Sequence, residues 1–308
     1  KQIEEDLASA AASLPPSYSS DADYHRATKG AAYALLAKTY LYREKWQDCL
    51  NAITEAAKGG YQLLGNYADN FNGVGERGKE IVFAGRHDSG KAPSQGSILN
   101  AVFAPRGIGW GFNLPTKDLA DAFEPGDPRK AVTMFAAGDQ WFDGTVLDPS
   151  VSITGYVLKK MLQNVNPIDD GGIDQIYIRW ADVLLWKAEC YAQLNNTDAA
   201  KAALEEVRGR ARNNSSLPGA LPEVTTNNKD ELLKAIQHER RVELAFEGQR
   251  YYDLVRWNLA ADVLKKSPDA DPITGYKDYG NGWQTFNHYL PIPQREVDLL
   301  GISQNQGY

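Results

Sequence analysis

The chain has 308 residues, 43% of them hydrophobic and 24% charged, with a formal net charge of −7 at pH 7. That length is ample for a buried core, and that apolar fraction argues against disorder over most of the chain. The acidic balance and the lack of a basic stripe exclude nucleic acid as a partner to look for first, and an anionic membrane surface would weakly repel the chain.

In chain order, residues 1–13 read as the end of a helix that opens without a cap at Lys1. No signal-peptide pattern precedes it, and we expect a natural N-terminal part to be missing. Leu14-Pro15-Pro16 stops that helix, because proline disfavours helical geometry in the residue before it. After a polar segment, Thr28 can cap a helix to about Arg43, with Ala31, Ala32, Leu35, Leu36, Thr39 and Tyr40 facing a partner. A second helix runs from about Trp46 to Lys58 and ends at Gly59-Gly60. The hairpin recurs: Ala37, Tyr40, Cys49, Ile53 and Ala56 share their spacing with Ala188, Tyr191, Ala200, Leu204 and Val207. These offsets are similar to tetratricopeptide positions, although the closing proline is absent and Lys187 stands where leucine is usual. Two pairs alone rarely make a stable solenoid, so further pairs are expected. Asn228 to Glu247 reads as one helix, Gly248 as a break, and Arg250 to Leu264 as the next helix.

Residues 65–178 between the repeats are rich in Gly, Asn, Asp and Pro. Short strands are expected at Glu80–Ala84, Tyr156–Met161 and Gln175–Ile178, and a short helix at Asp118–Phe123. A loop region this long inside a compact domain is usually functional. The tail from Ser267 to Tyr308 is irregular, with aromatics at Tyr276, Tyr279, Trp283, Phe286 and Tyr289. The expected organisation is all-α and a single domain over 1–308. Helical pairs cover about 1–64 and 178–265, a loop-rich insert about 65–177, and the irregular tail 266–308.

Ligand-bearing motifs are sparse. Cys49 and Cys190 each sit in an Ala-rich helical pattern, where a small buried residue is the ordinary reading; a disulfide between them stays open. CxxC, HExxH and Cys/His clusters are absent, so no metal centre and no cofactor is expected. Asp269 with Asp271, or Asp169, Asp170 and Asp174, offer loop oxygens to calcium without EF-hand order. His25, His87, His238 and His288 are scattered and read as surface or capping residues. No apolar run is long enough to span a bilayer.

The stretch Glu239 to Trp257 alternates fixed charge with aliphatic and aromatic bulk. It is similar to the signature of the SusD/RagB family. Arg26 to Tyr42, Glu80 to Phe83, Asp121 to Arg129, Ile178 to Glu189, and Leu290-Pro291-Ile292-Pro293 with Gln304 to Tyr308 resemble further blocks of that family in order. Gln306 in place of the usual proline, and Gly301 where an asparagine-containing region is usual, depart from the pattern near the end. The resemblance covers essentially the whole chain and corresponds to the later part of a family member. It implies a superhelix of stacked tetratricopeptide-like pairs with an irregular subdomain. It implies a lipoprotein at the outer face of the outer membrane, held there only by a lipid anchor on the absent N-terminus. It implies non-catalytic binding of an oligosaccharide and its delivery to a SusC-like TonB-dependent transporter. The alternatives are a tetratricopeptide-type protein scaffold and an all-α glycoside hydrolase.

The charges of the signature suggest a structural ion-pair network of Arg240, Arg241, Glu247, Arg250, Asp253 and Arg256. Glu247 with Arg250, and Asp253 with Arg256, are spaced to meet. If the repeats pack as the resemblance implies, Arg240 and Arg241 reach Asp182 or Glu189, sites that suit arginine's planar fork. Sugar binding calls for an aromatic plane beside polar edge groups. Trp46, Trp180, Trp186 and Trp257 lie in helices and read as core. The stretch 100–113 is the best candidate site, with Trp110 as platform, Asn100, Arg106 and Asn113 as edge donors, and glycines for close approach. Trp141 and Trp283 are further candidates. A hydrolase needs two carboxyls facing across a cleft. Glu124 with Asp127, and Asp169 with Asp170, are instead neighbours in one turn, and Asp127-Pro128-Arg129 reads as a turn with a local ion pair. No catalytic residue is expected.

Overall fold

A computed structural model describes residues 1–20, 23–148, 150, 152–265 and 283–308. The elements run α1 (Gln2–Ser13), α2 (Lys29–Tyr42), α3 (Trp46–Ala57), β1 (Ile81–Gly85), α4 (Leu99–Phe103), α5 (Lys117–Ala122), α6 (Arg129–Thr133), β2 (Met134–Ala136), β3 (Tyr156–Leu158), β4 (Gln175–Arg179), α7 (Trp180–Gln193), α8 (Thr197–Asn213), α9 (Lys229–Glu243), α10 (Arg250–Arg256), α11 (Ala260–Lys265) and α12 (Gln294–Leu300). They fall into two compact units, Lys1–Gly248 and Gln249–Tyr308. The expected strands and the short helix of the insert are present, as two antiparallel two-stranded ribbons, β1–β4 and β2–β3, and as α5.

The repeated hairpin is real. The Thr28 hydroxyl accepts from Ala31 N–H and caps α2. After both α2 and α7 the chain turns in a Schellman motif. Lys45 N–H bonds Tyr40 O and Glu44 N–H bonds Leu41 O; Asn196 N–H bonds Tyr191 O and Asn195 N–H bonds Ala192 O. Glu44 and Asn195 both take left-handed backbone, with φ of 56° and 60°. Ala37, Cys49, Ile53 and Ala56, and their counterparts Ala188, Ala200, Leu204 and Val207, are all buried, while Tyr40 and Tyr191 are both partly buried. Equal spacing thus becomes equal packing. Both cysteines are free and buried.

In the first unit α1 packs on α2, α2 on α3, α3 on α7, and α7 on α8 and α9. Helix α7 is central. Eleven of its fourteen residues are buried, as befits a helix with neighbours on most sides. Helix α2 is also enclosed more widely than one stripe. Ala34 and Leu41 are buried, whereas Leu35, expected toward a partner, is 43% exposed.

Two helices end sooner than their periodicity suggests. Helix α9 stops at Glu243 rather than Glu247, and Phe246 and Gly248 take left-handed backbone. In the second unit the expected single helix breaks into α10 and α11, because Asn258 turns left-handed in another Schellman pair, Leu259 N–H to Leu254 O and Asn258 N–H to Val255 O. At the C-terminus, Gln304 accepts from Ile292 N–H and donates to Ile292 O, both at 2.7 Å. Asn305 donates to Leu290 O at 2.7 Å, which ties the two halves of the closing motif together. Gly301, the departure from the family pattern, serves as the left-handed cap of α12. Tyr276, Tyr279, Asp269 and Asp271 lie outside the described residues.

Candidate functional site

The early end of α9 serves a buried charge network. Helix ends leave backbone carbonyls without intrahelical partners, and here buried donors take them. Arg179 and Tyr67 donate to Glu243 O at 2.8 and 2.9 Å, and Lys160 donates to Glu243 O and Ala245 O at 3.2 and 3.0 Å. The turn after α9 brings the Glu247 carboxylate to Arg179 at 2.7 Å and to Lys160 at 2.6 Å. From there the network spreads. Arg179 also pairs with Glu80 at 2.9 Å and with Glu243. Arg210 bridges Glu80 and Glu243, and Arg129 joins Asp127, Glu239 and Glu243. Arg208 links Glu239 to Glu124. Tyr67 and Phe71 lie over Arg179 and Lys160 with ring centroids 4.3 to 5.6 Å away, which adds cation–π attraction at two buried cations. Burial alone would raise the Glu243 carboxyl; Arg210, Arg179 and Arg129 together hold it well below the ordinary carboxylate range. Burial lowers Lys160 to about 8 against the pull of Glu247.

Of the expected network members, Arg240 bonds Asp182 at 2.7 Å and Asp253 pairs with Arg256 at 2.9 Å. Arg241 instead reaches Asp118 on α5. Glu247 pairs with Arg179 and Lys160. The turn Asp127-Pro128-Arg129 does hold its local pair, at 2.8 Å, as part of the larger network.

The aromatic ledge lies on the loop after α4. Trp110 N–H bonds Ala101 O at 2.8 Å, Gly111 N–H bonds Ala104 O at 2.9 Å, and Phe112 N–H bonds Val102 O at 3.0 Å. The loop therefore folds back along α4 and satisfies its terminal carbonyls. Gly109 makes this possible: a Cβ there would stand 2.3 Å from Ala101 O. The two rings it presents, Trp110 and Phe112, are 51% and 55% exposed, with centroids 6.2 Å apart and planes at 72°. Arg106 and Asn113 are exposed on the same loop, and neither side chain has a polar partner among the described residues.

The other candidates are placed differently. Asn100 is 3% exposed, and both its N–H groups and its carbonyl oxygen have partners. It donates to Gln163 O and Ile168 O at 3.1 and 3.0 Å and accepts from Gln163 N–H at 2.9 Å, which ties α4 to the segment 163–168. Trp141 is 2% exposed. The β2–β3 ribbon and the connection between its strands press it against Phe135 and Phe142 in a small core with Leu147, Val157 and Leu158, and it is a packing residue. Its exposed neighbour Phe142 was not singled out by the sequence reading. Trp283 is half-buried against His288 in the second unit. The calcium reading of Asp169, Asp170 and Asp174 fails. Asp170 accepts from Gly90 N–H and Ser94, and Asp174 accepts from His87 N–H and meets His25. No acidic or His/Cys group among the described residues is arranged for a metal.

The model of the SusD family matches residues 148–308. The chain belongs to the SusD family. SusD-like protein P25 of Formosa agariphila is 27% identical over 93% of this chain. The chain spans about 60% of the length of the curated relatives it matches. A structure described as a laminarin-binding SusD-like protein superposes with a TM-score of 0.80 at 30% identity, covering 100% of this chain and 68% of that one. Surface glycan-binding protein A from Bacteroides thetaiotaomicron, in complex with laminarihexaose, superposes with a TM-score of 0.75 at 25% identity, covering 99% of this chain and 69% of that one.

Within this SusD-family fold, four of the six segments that carry the family likeness meet in the charge network. Glu80, Arg129, Arg179 and Glu247 come from four different segments and form one set of ion pairs. The sequence reading missed Glu80, Lys160, Arg179, Arg208, Arg210, Glu239 and Glu243 as network members, because charges far apart along the chain show no pattern of spacing.

Proposed function

We propose that this chain captures an oligosaccharide at the cell surface without catalysing a reaction on it. The observation that carries this reading is the ledge of Trp110 and Phe112, two exposed rings on a loop fixed by three backbone hydrogen bonds, with Arg106 and Asn113 at its edge. Exposed aromatic planes cover the apolar face of a sugar ring, while guanidinium and amide groups reach its hydroxyls. Because the planes meet at 72°, consecutive sugar rings must turn relative to each other to use both, which favours a curved glucan over a flat ribbon. The similar proteins described as binding laminarin or laminarihexaose agree with that preference.

A non-catalytic role is supported by the state of the carboxylates. Glu124 is held by Arg208 and by His238, Asp127 by Arg129, and Asp170 by backbone and serine donors. A glycoside hydrolase needs an unpaired acid facing a second carboxyl across a cleft. Family membership supports delivery to a SusC-like TonB-dependent transporter and a lipid anchor at the outer face of the outer membrane. No helix among the described residues is long and apolar enough to cross a membrane.

Calorimetry with laminarihexaose tests the binding claim. We expect heat of binding for the wild-type protein, its loss or strong reduction in a folded Trp110→Ala variant, and no release of reducing ends over time. A Trp110→Ala protein that binds as wild type would refute the ledge.

A further inference from the structure

The first unit also holds a cleft that no ledge residue lines. It has two lobes of about 210 and 280 Å³, walled by the segment between α1 and α2, the turn after α3, the run from Arg77 through β1 to Ser89, and Gln163 to Asp174. His25 and Arg77 line both lobes and divide them. The divider is braced from several sides. His25 Nε2 lies 2.6 Å from Asp174 Oδ2, and the other oxygen of Asp174 accepts from His87 N–H at 2.9 Å. Asp174 N–H donates to Glu76 Oε1 at 3.2 Å, and the Tyr24 hydroxyl donates to Glu76 O at 3.0 Å. The Arg77 guanidinium lies 5.3 Å from the Tyr24 ring centroid. A cleft whose divider is tied to three chain segments keeps its shape before a ligand arrives, which lowers the entropic cost of binding.

The two lobes differ in chemistry. The first is lined by Tyr18, Tyr61 and Phe83, with the Tyr61 ring stacked on Trp180 and laid against Gly59, and with open backbone at Gly60. The second is polar. In it the His87 imidazole, the Gln163 Nε2 amide and the Ser89 hydroxyl have no protein partner among the described residues. Its charges are mixed: Arg77 and Arg86 line it together with Glu76, Asp88 and Asp174, and Arg86 pairs with Asp88 at 3.2 Å, so no field of one sign favours an anion. A donor-and-acceptor set beside an aromatic lobe suits a neutral polyhydroxylated ring. The two volumes together reach the lower end of ordinary ligand pockets, roughly 300 to 1,000 Å³.

We propose that this cleft is a second saccharide-binding site, in which the aromatic lobe packs on one sugar ring and the polar lobe bonds the hydroxyls of the next. The proposal rests on the carbohydrate reading above but uses none of the ledge residues. The test is calorimetry with laminarihexaose and with maltohexaose on the wild-type protein and on Trp110→Ala, His87→Ala and Ser89→Trp, each checked for folding by circular dichroism. One of these hexaoses is expected to bind wild type at two sites and Trp110→Ala at one. In the Trp110→Ala background, His87→Ala should weaken the remaining site about tenfold, the loss of roughly one hydrogen bond, and Ser89→Trp should fill the lobe and abolish it. The cleft is refuted if folded Trp110→Ala binds neither hexaose, or if both cleft variants retain two-site binding. Unchanged binding in Trp110→Ala together with loss in the cleft variants would refute the ledge and keep the cleft. Failure of wild type to bind either sugar would overturn both.

Discussion

The charge network and the aromatic ledge invert the usual distribution of residues. Arg129, Arg179, Glu239 and Glu243 lie where apolar side chains are ordinary, and Trp110 and Phe112 lie where charges are ordinary. Each inversion has a different physical meaning. Buried charges persist only when paired, and the pairing here is nearly complete, so these groups are committed to architecture. Rings left half exposed gain less from the fold than buried ones, and their fixed presentation to solvent is what the sugar-binding proposal rests on.

That contrast is open to direct attack. The largest effect is expected from Arg179→Ala, which would strip a partner from Glu80, Glu243 and Glu247 at once. Breaking a buried pair costs about 3–5 kcal/mol, so urea denaturation should show a loss of that order or outright unfolding. A loss below 1 kcal/mol would mean that the network is dispensable. Acid should act on the same groups. Glu243 has a folded-state pKa below its ordinary value of 4.5, so its contribution is fully present above that pH and disappears as pH falls below it. Chemical-denaturation midpoints should fall below about pH 4.5, and added salt should change the trend little because the pairs are buried. A midpoint flat down to pH 3 would contradict this.

The ledge should behave in the opposite way. Trp110→Ala is expected to cost about 2 kcal/mol of sugar affinity, roughly thirtyfold, while stability shifts by no more than about 0.5 kcal/mol because the ring is half exposed. Equal losses in binding and melting would erase the distinction between the two regions. Gly109→Ala sharpens it further. The added Cβ meets Ala101 O, so the loop must shift and sugar affinity should fall about tenfold, with a smaller change in melting. The smallest effect belongs to the frame itself: Thr28→Ala removes one N-cap and should cost about 1 kcal/mol of stability in urea denaturation.

Local signals in the chain were read well. The Thr28 cap, the stop near Gly59-Gly60, and the equal offsets of Tyr40 and Tyr191 all reappear as structure, because capping and helical spacing act within a few residues. Ends decided by distant partners were not read. Helix α9 stops four residues early because Arg179, Lys160 and Tyr67 claim the carbonyls and the carboxylate just beyond it. The loop tryptophans show the same limit. Trp110 and Trp141 look alike as sequence, each beside glycine or phenylalanine in an irregular run, yet one faces solvent and the other fills a core.

By itself the sequence determined the helix pairs, their matching turns, the family likeness and the stretch that carries the ledge. Each of these is written in residues close together along the chain. Only the tertiary structure decided which charges meet and which aromatics stay outside. Arg210 finds Glu80 across 130 residues and Arg129 finds Glu243 across 114. Such pairings arise when the packing of the helices and the insert excludes water around them, and no local pattern of charge encodes that.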